Sequence, residues 1–318
     1  MRILLVTATR IGDAVLSTGV LSHLIDRFPG ARITIAAGRD AAPIFADVPG
    51  LERIIAIEKR RWRLHWLALY RAVALARWDI VVDLRASAIA YLLWARERNV
   101  AQKRQVGEHR IRQLARIFAL DPPPSPHLWI APQREAEAAS LVPPGASVVA
   151  IGPAANWRGK EWRAERFAEL ALRLTAPGGV FPGARVVVLA AAHERAQALP
   201  LIAALGPRAI DLVGKIHLLT VAAVIRRAAI FVGNDTGLMH LAAATGTPTL
   251  GLFGPSPIDQ YAPWGPHTAV VSTAIPHRDL IPPDFDRLTT DTLMDSLSVD
   301  AAEEAVRKLW ARVSGKAA

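Results

Sequence analysis

Apolar positions along the chain follow two periods. Short continuous apolar runs at residues 2–7, 32–37, 54–57 and 79–84 read as buried strands. Between them the apolar residues recur at helical spacing. Leu16, Val20, Leu24 and Phe28 form one face of a helix over 13–28, which Pro29-Gly30 stops, and a second helix is predicted around 62–77. A proline-rich stretch, DPPPSP at 121–126, opens an irregular segment with a short helix near 134–141 and Pro-Pro-Gly at 143–145. The rhythm then restarts with strands at 148–151, 185–189, 209–213, 230–232 and 249–253. Helices are predicted at 163–174, 194–204 and 219–228, with a short one before the last of these strands. Strand and helix in alternation imply parallel sheets covered on both faces, an α/β class. The economical division is two doubly wound domains, 1–140 and 141–318, with a final helix over 299–313 placed to pack back on the first.

Composition agrees with a packed interior: 318 residues are ample for two cores, and 52% of them are hydrophobic. With no cysteine there is neither a disulfide framework nor a thiolate metal site, which suits a reducing cytoplasm. Met1-Arg2 runs directly into a strand-like ILLVT, unlike an export signal, and no run approaches the roughly 18 apolar residues of a membrane span. The net charge of +10 is uneven. Residues 1–150 hold 21 Lys/Arg and 13 Asp/Glu, a balance of +8, and the remainder holds 17 and 15, a balance of +2. Such a basic half fits an anionic partner (nucleic acid, phosphorylated substrate or membrane surface) or simply an arginine-rich solvated surface.

Open α/β sheets bind ligands beyond the carboxyl ends of their strands, and three segments fall there. TATRIGDAVLSTG, residues 7–19, lacks the G-x-G-x-x-G of a dinucleotide site but offers Asp13, either as a helix N-cap or as a general base. GPAANWRGKEWRAERF, residues 152–167, places Lys160 and Arg158 in a glycine-containing loop, as solvated cations or as phosphate ligands. FVGNDTGLMHLAAATGTPTLGLFGPSP, residues 231–257, sets Asn234, Asp235, Thr236 and Gly237 at a helix start between two strands. Free amides there bind an anion through the helix dipole, and Gly237 admits a close approach. Asp235 reads as a cap or as a ligand of sugar hydroxyls, and Gly254-Pro255-Ser256 as a wall of the same pocket.

With those residues in place the chain resembles glycosyltransferase family 9, the ADP-heptose:lipopolysaccharide heptosyltransferases, over essentially its whole length. DTGLMHLAAATGTPTLGLFGPSP at 235–257 is the most specific element, supported by YAPWG at 261–265, IGD at 11–13, Lys160-x-Trp162 and DIVVDLR at 79–85. KRRWRLHW at 59–66 is similar to the basic, tryptophan-bearing segment of the enzymes that add the first heptose. The resemblance implies a GT-B fold, two Rossmann-like doubly wound domains facing across a cleft, and an inverting, metal-independent transfer with no cofactor beyond the ADP-sugar donor. It assigns Asp13 as base, Lys160 to the donor phosphates, and Asp235, Thr236, Gly237 and His240 to the donor site, with Glu194 on the nucleotide. Arg60, Arg61 and Arg63 are counter-charges for a lipid-anchored anionic acceptor, the lipid A–Kdo inner core, with peripheral contact at the inner membrane.

Two departures bear on the sugar more than on the reaction: Ala154 and Ala155 replace hydroxyl residues, and DLRAS at 83–87 replaces D-x-Q-G or D-x-H-G, bringing in Arg85. Trp62, Trp66, Leu69 and Val73 fall near one helical face, either as core or as an interfacial stripe. Two other readings stand beside this one: a related transferase with another nucleotide-sugar, and a non-catalytic nucleotide-binding protein. No nucleic-acid module is recognisable.

Overall fold

The structure, a computed structural model, describes residues 1–58, 61–102, 105–145, 147–281, 285–286 and 289–315. They fall into two compact units, Met1–Ala131 and Pro132–Ala318.

The first unit is a five-stranded parallel sheet of β1 (Arg2–Val6), β2 (Arg32–Gly38), β3 (Leu51–Ile57), β4 (Trp78–Asp83) and β5 (Ala95–Val100), in the order β3-β2-β1-β4-β5. β1 is central and its Ile3, Leu4, Leu5 and Val6 are fully buried, as a strand covered on both faces requires. The edge strand β5 reads ARERNV; its charges discourage pairing with another chain and also hide it from an apolar-run search. α1 (Ile11–Arg27), α2 (Leu64–Val73), α3 (Ile89–Leu92) and α4 (Arg110–Ala115) connect or cover these strands. α2 is shorter than the periodicity suggests. Leu69 and Val73 are in the core and Trp66 packs against it, but Trp62 precedes the helix in a 3-10 turn at φ 56° and is 85% exposed. The four residues therefore do not share one face.

The second unit holds α5 (Pro132–Leu141), β6 (Val148–Gly152), α6 (Ala164–Thr175), β7 (Arg185–Val188), α7 (Arg195–Leu205), β8 (Ala209–Asp211), α8 (Leu218–Arg226), β9 (Ile230–Asn234), α9 (Gly237–Ala244), β10 (Thr249–Phe253), α10 (Ile258–Tyr261), β11 (Thr268–Ser272) and α11 (Val299–Ser314). The strand order is β11-β10-β9-β6-β7-β8, all parallel. Numbered within the unit this is the 3-2-1-4-5-6 order of a Rossmann sheet, and the first unit repeats its first five strands. α5 belongs with this unit: Thr220 Oγ1 of α8 donates to Glu137 Oε2 at 2.7 Å. α11 lies on α6 and β11 of the same unit, with Trp310 edge-on to Phe181 at 4.9 Å and Arg312 donating to the Thr268 carbonyl.

A reversal of strand order marks where loops diverge and a ligand crevice opens. In the first unit the reversal lies between β1 and β4, and in the second between β6 and β9. The loops leaving β4, β6 and β9 carry Arg85, Lys160 and Asp235, and Asp13 lies in the first turn of the helix that follows β1.

Candidate active site

In the second unit the crevice is built on Asn234. β9 runs further than its apolar residues indicate and ends at Asn234, and α9 begins at Gly237, so only Asp235 and Thr236 join them. Asn234 is fully buried. Its Oδ1 accepts from the Trp162 amide at 3.1 Å and its Nδ2 donates to the Pro153 carbonyl at 2.8 Å, fastening both ends of the loop that leaves β6. Held in this way, Lys160 brings its Nζ to 2.6 Å from Asp235 Oδ2, the two side chains being 23% and 7% exposed. Asp235 is thus an ion-pair partner.

Thr236 is the N-cap of α9, in extended conformation at φ −141° and ψ 177°, and its side chain makes no capping bond. The first amides of α9 are therefore not masked by that hydroxyl, beside an ammonium whose three donors are only partly used by Asp235. A dipole end plus a cation is an anion site. His240, in the first turn of α9, and Ser256, after β10, are both buried. Glu194 turns its Oε2 to the Ala191 amide at 2.9 Å, so one carboxylate oxygen braces its own turn. The Ala155 amide donates to Gln197 Oε1 at 2.9 Å and is not free for a phosphate.

A second layer holds the Lys160 loop from behind, through residues 291–297, which the motif search did not single out. The Leu293 amide donates to the Gly159 carbonyl at 3.1 Å, Thr292 Oγ1 to the Glu161 carbonyl at 2.5 Å, and Trp162 Nε1 to the Leu297 carbonyl at 2.9 Å. Arg158 Nε donates to Asp291 Oδ1 at 2.9 Å, and Arg163 reaches Asp295 at 2.6 Å and Asp291 at 3.2 Å. The Thr292 amide, Arg158 and Arg163 hold Asp291 down to about 2, and Arg163 holds Asp295 below the usual carboxylate range. Burial pushes Glu161 up, against the pull of Arg158. A pocket of about 240 Å³ beside this brace is lined by Arg158, Glu161, Arg163 and Gln197 among others; neither Lys160 nor Asp235 lines it. The available signal was the acid pair Asp291 and Asp295, one helical repeat apart, opposite an arginine-rich loop.

In the first unit α1 starts at Ile11 with Arg10 as N-cap, so Asp13 lies inside the first turn and is not the cap. Arg110 of α4, nearly buried, places Nε 3.8 Å from Asp13 Oδ1 and Nη2 3.5 Å from the Leu84 carbonyl, linking the first turn of α1 to the loop after β4. The β4 loop is rigidly made. Asp83 Oδ1 accepts from the Arg85 amide at 2.9 Å, and its Oδ2 accepts from the Ser87 amide at 2.8 Å and Ser87 Oγ at 2.5 Å. Burial pushes the Asp83 carboxyl up, opposed by those hydrogen bonds and by the Arg85 charge. Arg85 lies over the Trp66 ring, 4.6 Å from its centroid. Of the three predicted acceptor arginines, Arg61 is exposed, Arg60 lies outside the described residues, and so does the side chain of Arg63.

The model of glycosyltransferase family 9 (heptosyltransferase) matches residues 58–281. The chain belongs to glycosyltransferase family 9. It is a glycosyltransferase, and both units are those of the GT-B fold. It is 27% identical over 290 residues to lipopolysaccharide heptosyltransferase 1 of Pseudomonas aeruginosa, covering 80% of this chain and 79% of that protein. It is 25% identical over 293 residues to lipopolysaccharide heptosyltransferase 3 of Escherichia coli, covering 80% and 83%. Among solved structures, a family 9 glycosyltransferase of Veillonella parvula superposes with a TM-score of 0.78 at 19% identity, over 98% of this chain and 97% of that one. An Escherichia coli heptosyltransferase solved with ADP gives 0.72 at 20%, over 97% and 100%.

Proposed function

We propose that this family 9 enzyme moves a heptose from ADP-heptose to a lipid-anchored, anionic lipopolysaccharide inner core, with inversion and without a metal ion. The observation that carries the reading is the Lys160–Asp235 pair at the start of α9, at the point of strand reversal. The diphosphate lies along the α9 amides with Lys160 on its oxygens, and Thr236, Gly237 and His240 line its path; Glu194 faces the nucleoside. Departure of ADP concentrates negative charge on the β-phosphate, where preorganised donors count most. Asp13 takes the acceptor hydroxyl proton as the anomeric carbon gains oxocarbenium character, and attack from the face opposite ADP inverts it. Arg110 holds that carboxylate in place.

Curated relatives carry lipopolysaccharide heptosyltransferase in their names, and solved neighbours hold ADP or an ADP-heptose analogue, which supports this donor and acceptor class. No described helix is long and apolar enough to cross a membrane. Exposed Trp62 beside exposed Arg61 supports a peripheral contact with an anionic lipid surface on the cytoplasmic side. The deciding experiment is transfer by the purified protein from ADP-, UDP- and GDP-linked sugars to a lipid A–Kdo acceptor, with the anomeric configuration read by NMR. The expected result is heptosylation from the ADP sugar alone with inversion. Preference for another nucleotide overturns the donor, and retention overturns the mechanism. Liposome co-sedimentation that ignores anionic lipid and salt overturns the membrane contact.

A further inference from the structure

Arg85 is a cation of the first unit's crevice that the reaction described above does not use. It sits on the loop leaving β4, the strand beside β1, and Arg110 joins the carbonyl of the preceding residue, Leu84, to Asp13. Its backbone is fixed twice over: by the Asp83 carboxylate, and by Ala86, which holds φ 51° where only a glycine would be unstrained. Its guanidinium lies on the Trp66 indole at 4.6 Å, an arrangement that fixes the plane of the fork and leaves its edge for hydrogen bonding.

Among the described residues, no hydrogen bond uses the donors of that fork. Asp83 gives both of its oxygens to the loop amides and to Ser87, and among the described residues no carboxylate hydrogen-bonds the Arg85 side chain. Nη1 is buried without a hydrogen-bond partner among the described residues. Burial draws the guanidinium below its ordinary range while the nearby Asp83 charge raises it, and arginine stays cationic throughout the physiological range. A charged donor kept from water, flat on an indole and aimed by a braced loop, suits a planar or tetrahedral anion that accepts two parallel N–H bonds. Asp13 and Arg110 already face each other, so a second cation here is not needed to balance the base.

We propose that Arg85 is a specificity-determining residue for the acceptor, binding one of its anionic groups, a carboxylate or a phosphate, through the guanidinium edge while Trp66 holds the fork in plane. The inference rests on the proposed anionic acceptor and deepens it. Where the family pattern expects Gln or His, this chain reads acceptor charge at a point near the base.

The test compares three lipid-linked acceptors: the native one, one with its sugar carboxylates reduced to alcohols, and one with its phosphates removed. Equilibrium binding and steady-state transfer are measured for the wild type, Arg85→Gln and Arg85→Lys. Arg85→Gln is expected to raise Kd and KM for the native acceptor about tenfold, with kcat and the donor KM within about twofold. That penalty disappears with whichever altered acceptor lacks the recognised anion. Arg85→Lys recovers part of the affinity, since an ammonium keeps the charge but lacks the fork. Equal penalties for all three acceptors in both variants, or no penalty, overturn the assignment. Arg85-dependent binding without any heptose transfer leaves this assignment standing and removes the proposed reaction. Transfer by a wild type whose acceptor selectivity Arg85→Gln leaves unchanged does the reverse, and failure of the wild type to bind all three overturns both.

Discussion

Lys160 Nζ stands 2.6 Å from Asp235 Oδ2, and this contact joins the loop after β6 to the two-residue link between β9 and α9. It keeps a cation at the helix end before any ligand arrives. Lys160→Ala is expected to lower kcat/KM by about 10²–10³-fold, the effect of deleting one preorganised donor to a developing anion. Asp235→Asn leaves the ammonium unanchored and is expected to cost about tenfold, chiefly in donor affinity. Steady-state transfer and ADP titration check both. An unchanged Lys160→Ala variant removes the leaving-group role.

Asp13→Asn keeps size and polarity while removing the proposed base. Transfer is expected to fall by about 10²–10⁴-fold, with ADP affinity unaltered because the proposed donor residues all lie in the other unit. Calorimetric ADP binding beside the transfer assay separates the two effects. A variant that transfers normally disproves the base.

The proposed site meets diphosphate charge with an ammonium and amides, and among the described residues no three His, Asp or Glu side chains gather as metal ligands would. Dialysis against EDTA is expected to leave the rate within about twofold. Loss of rate that Mg²⁺ or iron restores overturns the proposed metal independence.

The Arg158/Arg163–Asp291/Asp295 brace gives the second unit an acid sensitivity. Asp291 titrates at about 2 in the fold against an ordinary 3.8, and Asp295 is shifted the same way. A lowered carboxylate pKa means stability that is fully present above the unfolded value and is lost as pH falls from about 4 through about 2. The side chains are largely exposed, so solvent screening keeps the effect modest. Melting curves of the wild type should drop through that window, and those of Asp291→Asn/Asp295→Asn should drop less.

Gly38 is predicted to resist any side chain. A Cβ there would lie 2.4 Å from Thr9 Cα and 2.5 Å from the Thr9 carbonyl oxygen, both backbone atoms of the loop that leads to Asp13. Gly38→Ala should cost about 1–3 kcal/mol and lower transfer as well, since the loop itself must move. Thermal melts and kcat on the same preparation test this.

Much of the fold was legible because buried parallel strands are continuous apolar runs, as in β1, β4 and β9. β5 was not, because an edge strand carries charge, and β11 was not, because Thr268–Ser272 is only half-buried at an edge of the second unit's own sheet. In the site, Lys160, Asp235 and Gly237 announce themselves by glycine and charge at a helix start. Asn234 stands at the same start, but its bracing role is not legible, since a buried amide satisfied by the Trp162 amide and the Pro153 carbonyl is distinguished only by partners far along the chain. The brace of Thr292, Leu293 and Leu297 is equally silent, because its contacts are mostly backbone atoms. Ala86 was unreadable for another reason: a methyl at positive φ runs against local preference and is sustained by the Asp83 bonds on either side of it.

The amide of Asn234 has an evolutionary corollary. It gives a donor to the strand exit at Pro153 and an acceptor to the same loop's opposite end at Trp162, a pairing that Asp, Ser or Gln cannot reproduce at that length. A lineage drifting at position 234 must therefore find substitutes for two interactions at once, or surrender Lys160 along with them.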